Sequence, residues 1–176
     1  MVASLLCALP PPWGRGATAL YIDTEGKFSA ERAGQMLASR VPRGGPAPQE
    51  VLARVLVQRV HSTTELLGVL GRLEEVISQH GVRLVVVDSV AALARVEFGR
   101  DNLQQRQEAL GQQAARLKYL AERLHCAVVV TNQVTTRIDE DSGVSGNVAA
   151  LGVGCCALAS IAYTGRIEYL CASCCR

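Results

Sequence analysis

At 176 residues, 49% of them apolar, the chain is long enough for one domain with a packed core. A formal charge of +2 excludes bulk charge as an argument for nucleic-acid or membrane binding, so any such claim rests on where individual arginines fall. Seven cysteines, of which Cys155, Cys156, Cys171, Cys174 and Cys175 crowd the last 22 residues, do not spread as a disulfide framework does and favour a reducing compartment.

The apolar start, Met1 to Leu9, has its first positive charge at Arg15, after the run and not before it, which reads against a secretory leader. The run Val148 to Ala162 is shorter than the roughly 20 residues of a membrane span and holds glycines and a cysteine pair, so no anchor is expected.

In chain order, Thr18 to Asp23 reads as a short buried strand that stops at an acid, followed by Thr24-Glu25-Gly26. Ser29 offers a helix cap, and Ala30 to Arg40 reads as a helix ended by the proline- and glycine-rich surface loop of residues 42–48. Val55 to Val60 makes a second strand. Ser62-Thr63-Thr64-Glu65 then has the spacing with which serine and glutamate satisfy the first free N–H groups of a helix running to about Gln79, with Gly81 placed to end it. Arg83 to Asp88 is a third strand, four aliphatic residues running into Asp88 and Ser89, and an irregular stretch is expected after it. From Asn102 to Leu124, Leu103, Leu110, Ala114, Leu117, Ala121 and Leu124 repeat at helical spacing, leaving Arg106, Gln113, Arg116 and Glu122 for other faces. Ala127 to Thr131 is a fourth strand, ending in Asn132-Gln133.

The series βαβαβαβ predicts parallel strands whose carboxyl ends share one rim, where open α/β sheets bind ligands. Glu25, Asp88 and Gln133 each fall at or just past such an end. Taken singly each has an ordinary reading: a turn former beside Gly26, a helix cap, a satisfied buried amide. Their joint placement points to a nucleotide and its magnesium. His61, His80 and His125 stand at element ends and read as structural, and Cys171-Ala172-Ser173-Cys174 has a metal-like spacing without a second ligand pair.

The segments Tyr21-Ile22-Asp23-Thr24-Glu25-Gly26-Lys27-Phe28, Leu84-Val85-Val86-Val87-Asp88-Ser89-Val90 and Val130-Thr131-Asn132-Gln133-Val134, in this order and spacing, resemble the RecA-like recombinases of eukaryotes and archaea. Phe28-Ser29-Ala30-Glu31-Arg32, Arg95-Val96-Glu97-Phe98 and Leu117-Lys118-Tyr119-Leu120-Ala121-Glu122 look most like the B-type paralogue branch of the eukaryotic strand-exchange recombinase. The resemblance covers about residues 17–152.

It implies an α/β fold: a RecA-like nucleotide-hydrolase core with a mostly parallel sheet flanked by helices, here without the phosphate-loop strand and the C-terminal strands. It also implies a partial core over 1–152 and a divergent cysteine-rich tail over 153–176. By the same resemblance Glu25 orients the attacking water, Gln133 senses the terminal phosphate, and Asp88 holds magnesium through water, with Ser89 beside it at the cofactor. Arg95, Arg100, Arg106 and Arg137 are the implied DNA contacts, from a loop over about 95–106 and another over 134–147. The implied cofactors are ATP and magnesium, the implied partners sister recombinase paralogues and single-stranded or branched DNA, and the implied place the nucleus, in homologous recombination.

The sequence departs from that pattern in three places. No Gly-x-x-x-x-Gly-Lys-[Ser/Thr] loop occurs in the 176 residues, and Val2 to Leu9 looks like the helix that follows such a loop. Asp139-Glu140-Asp141 sets an acidic cluster beside Arg137. The tail after Gly152 reads as an alternative end. A DNA-dependent ATPase is therefore one expectation, and a non-catalytic interaction module of a paralogue complex is the alternative.

Overall fold

The computed structural model describes residues 16–39, 46–99 and 102–132, and beyond them the backbone of four short strands. Its centre is a four-stranded sheet of β1 (Thr18–Asp23), β2 (Val55–Arg59), β3 (Val82–Asp88) and β4 (Ala127–Val130), in the order β2-β1-β3-β4. Every pairing is parallel, with Tyr21 opposite both Val57 and Val86, and Asp23 opposite Asp88. The unbroken aliphatic text of β3 follows from this position, because a central parallel strand is covered on both faces.

Alternation along the strands divides the core. Leu20, Ile22, Val85, Val87 and Val128 face one cluster, with Leu66, Leu70, Leu73 and Ile77 from α3 (Thr63–His80), Val90 and Leu93 from α4 (Val90–Phe98), and Leu117 and Leu120 from α5 (Leu103–Leu124). Ala19, Tyr21, Leu84, Val86 and Ala127 face the other, where Phe28 packs. Two shorter helices, α1 (Ala30–Ala38) and α2 (Pro48–Leu52), join β1 to β2 and bury Leu37 against Val51.

The connection from β1 leads outward to β2, whereas the chain from β3 leads through α4 and α5 to β4 on the opposite side. Neighbouring parallel strands whose connections depart in opposite directions leave a crevice at their carboxyl ends. The fold therefore places its natural ligand crevice past the carboxyl ends of β1 and β3, where Glu25 follows β1 and Asp88 ends β3.

Local chemistry explains the helix limits. Ser62 Oγ accepts from Glu65 N–H at 3.0 Å while Glu65 Oε2 accepts from His61 N–H at 2.7 Å. Gly81 closes α3 with φ 60°, a left-handed conformation that costs glycine little.

Four expectations change. The stretch after Ser89 is helix α4 and not irregular, because Val90, Ala91, Leu93 and Ala94 are buried at helical spacing. The proline-rich loop runs directly into α2, with Pro48 at its first position, where the missing N–H is no loss. Helix α1 stops at Ala38. Gln113, expected on a face other than the packed one, is 0% exposed on α5, one turn from the buried Ala109, Leu110 and Leu117.

Past β4 the backbone makes two antiparallel pairs. They are β5 (Val134–Ile138) with β6 (Ser145–Ala149), and β7 (Ser160–Tyr163) with β8 (Arg166–Tyr169). Within the segment expected as a DNA-contacting loop, residues 134–138 and 145–147 are thus in paired strands, and strand pairing reaches into the cysteine-rich tail. The stretch Val2 to Leu9 and the cysteines of the tail lie outside the described residues. Among the described residues no helix is long and apolar enough to cross a membrane.

Candidate functional site

The crevice is closed from below by backbone hydrogen bonds between strand ends. Thr24 N–H donates to Asp88 C=O at 3.0 Å, and Thr131 N–H donates to Val87 C=O at 3.0 Å. The buried Thr24 hydroxyl donates to Ser89 C=O at 2.8 Å and accepts from Ser89 N–H at 2.7 Å, tying the Glu25 turn to the end of β3. The Asp88–Ser89 peptide is cis.

On this base three expected residues meet. The Ser89 hydroxyl donates to Glu25 Oε1 at 3.2 Å, and Glu25 Oε2 pairs with the Lys27 ammonium. That hydrogen bond, then the charge of Glu25, raises the exposed Lys27 above its ordinary value. Asp88 stands beside them with both oxygens engaged: Oδ2 accepts from the Tyr21 hydroxyl, and Oδ1 from the Thr131 hydroxyl. Burial, followed by the hydrogen bond to Asp88 and the carboxylates of Asp88, Asp23 and Glu25, pushes the Tyr21 phenol up, so it stays a donor.

Asp88 suits a magnesium held through its water. A carboxylate offers about four lone-pair sites, and two hydroxyl donors fix its plane while leaving acceptor capacity for water. Magnesium commonly keeps several waters and takes one or two carboxylates together with phosphate oxygens. Among the described residues no group of three or more His, Cys, Asp or Glu could cage a metal alone, so any cation here would share its coordination with substrate or water.

Asp23, Thr24, Tyr21 and Thr131 also build the site, beyond the residues expected from sequence. Two had signals. Asp23 is an acid at the end of a buried strand, and a buried tyrosine needs a partner for its hydroxyl. Asp23 is 2% exposed. Burial alone would raise its carboxyl, but N–H groups from Phe28, Lys27, Gly26 and Glu25 outweigh that and hold it below its ordinary 3.8. A depressed carboxyl contributes stability that is present above the unfolded value and lost as pH falls through the folded one. Acid titration is therefore expected to destabilise the parent progressively below about pH 4, with a shallower loss in Asp23→Asn, read as Tm against pH.

A cleft of about 550 Å³ opens beside Glu25, lined by Lys27, His61, Arg95, Val96 and Glu97. Arg95 lies in the last turn of α4 and not in a loop, and Glu97 Oε1 accepts from Thr63 N–H at 2.6 Å, fastening α4 to the start of α3. Arg106 sits in the first turn of α5, away from those cleft-lining residues in the sequence. Gln133 and Arg100 lie outside the described residues, and Arg137 is placed by its backbone in β5.

Comparison with known proteins matches residues 2–169 to the Rad51 family model. The chain is 39% identical over 146 residues to human DNA repair protein RAD51 homolog 2, covering 78% of this chain and 38% of that protein. It is 40% identical over 149 residues to the mouse protein of the same name, covering 78% and 41%. It is 40% identical over 134 residues to DNA repair and recombination protein RadA of Metallosphaera sedula, covering 74% and 40%. The chain thus spans about two fifths of the length of these curated relatives. A parallel sheet with an acidic crevice at its switch point, and a family match along nearly the whole chain, lead to one conclusion: this chain belongs to the Rad51 family of RecA-like recombinases.

Proposed function

We propose that this chain forms the hydrolytic and cation-handling rim of an ATP site in a recombinational DNA repair paralogue, one that works with sister paralogues in the nucleus and assists recombinase loading on DNA. The observation that supports it is the hydrogen bond from Ser89 Oγ to Glu25 Oε1 at 3.2 Å, which ties Glu25 to the end of β3 directly after Asp88. Phosphoryl transfer asks a protein mainly for positioning and charge neutralisation. In this reading Glu25 orients the attacking water, and Asp88, held by Tyr21 and Thr131, is the residue that would hold magnesium through water. Magnesium, when bound, supplies charge neutralisation on the phosphates.

Gln133 follows β4 in sequence and is proposed to report the terminal phosphate. Arg95, Arg100, Arg106 and Arg137 are proposed to contact DNA phosphates, which sets affinity and salt dependence and reads no bases.

The test is thermal. A ligand that binds only the folded state stabilises it, by about 2.7 kcal/mol at a hundredfold excess over Kd. For a chain of this size that is a rise in Tm of roughly 5–10 °C. Magnesium-ATP is expected to produce it, with ATP in excess chelator giving less. No shift with either would favour the non-catalytic interaction module.

A further inference from the structure

The turn that carries Glu25 is wrapped around a single buried anion. Asp23 Oδ1 accepts from the N–H groups of Glu25 at 3.2 Å, Gly26 at 2.7 Å and Lys27 at 3.2 Å, and Oδ2 accepts from Phe28 N–H at 3.1 Å. Consecutive N–H groups curled about an anion form a nest, a shape that usually awaits a phosphate or other free ligand. Here the chain fills it with its own carboxylate, 2% exposed and out of reach of any substrate.

Neighbouring elements hold the same curl. Arg59 at the end of β2 brings Nε to 3.7 Å from Asp23 Oδ2 and donates from Nη2 to Gly26 C=O at 3.4 Å. The Phe28 ring sits 5.0 Å from that of Tyr21, anchoring the far end of the turn. Gly26 takes φ 69°, the left-handed step that closes the curl.

We propose that Asp23 is the positioning residue for Glu25: its carboxylate fixes the turn so that the Glu25 carboxylate stands beside Ser89 and the Asp88 end of β3. This rests on reading Glu25 as the hydrolytic residue. The carboxylate form matters, because four N–H donors and a guanidinium converge on two oxygens. An asparagine of the same shape would turn an NH₂ group toward some of those donors.

Residue-resolved amide exchange on this chain tests the proposal. Gly26 N–H lies outside every helix and strand, yet it is expected to exchange at least about tenfold slower than a free amide, as a charge-assisted hydrogen bond requires. Exchange at the free rate overturns the proposal even if every variant fails to fold. Asp23→Asn is expected to speed exchange at Glu25, Gly26, Lys27 and Phe28 by about tenfold or more while Leu70 and Leu73 keep their protection. Unchanged exchange in the turn overturns it.

A second arm separates this role from that of Glu25. Where the parent turns ATP over, Asp23→Asn is expected to lower kcat toward the Glu25→Gln level with magnesium-ATP affinity kept. Turnover retained in Asp23→Asn but lost in Glu25→Gln overturns the positioning role alone. Turnover retained in both overturns the assignment of Glu25, and with it the role built on it.

Discussion

Glu25→Gln is expected to lower ATP turnover by about 10²–10⁴-fold while leaving magnesium-ATP binding close to the parent, the range a positioned acid–base group commonly contributes. The amide keeps the size of the side chain, and it can still accept from Ser89 Oγ, which now stands 3.2 Å from Oε1. It removes the negative charge and the basic oxygen that would hold an attacking water. A loss confined to kcat is the signature of an interaction made in the transition state, whereas a raised KM with unchanged kcat would assign Glu25 to ground-state binding. The pair with Lys27 also breaks, but Lys27 is largely exposed, so little stability is expected to go with it. Turnover equal to the parent, assayed with the chain in whatever assembly hydrolyses ATP, would remove Glu25 from the mechanism.

The sheet was legible because its strands carry strong and separable signals. β3 reads as buried parallel strand from Leu84-Val85-Val86-Val87 alone, and α3 announces both ends through Ser62, Glu65 and Gly81. The rim followed from topology: once the strands are parallel, Glu25 and Asp88 must lie at one edge. Helix α4 was hidden because Ser89 makes no side-chain cap and the helix is only nine residues long, too short for periodicity to stand out from the preceding apolar strand. Gln113 was misplaced for a different reason. A polar residue inside an apolar stripe carries no mark of which side it will take, and among the described residues neither of its amide atoms has a hydrogen-bond partner.

The supporting groups of the site were illegible for a physical reason too. Tyr21 and Asp88 are 67 residues apart, and Thr131 reaches Asp88 across 43. Their contact depends on register, with Tyr21 opposite Val86 and Val87 opposite Val130, and the unbroken aliphatic run of β3, buried on both faces, carries no alternation from which register could be read. Asp23 lay in plain sight as the acid that ends β1. Its role needs the turn to curl back on it, and Arg59 braces that curl from the neighbouring strand.

Thr24→Val is expected to be the most damaging small change at the rim. Valine matches threonine in shape and in its preference for extended backbone, so packing is conserved and the hydroxyl alone is removed. That hydroxyl both accepts from Ser89 N–H and donates to Ser89 C=O, and Ser89 is 2% exposed, so the two backbone groups lose their partner where water does not replace it. An orphaned buried polar group costs about 1–3 kcal/mol, which puts the pair at about 2–6 kcal/mol and the fall in Tm at roughly 5–25 °C. Thr24→Ser keeps both hydrogen bonds and gives up one methyl, about 0.8 kcal/mol. The comparison between the two variants is what decides. Equal losses in valine and serine would mean that packing and not the hydroxyl joins the ends of β1 and β3, and that Glu25 is held to the Asp88 strand by its turn alone.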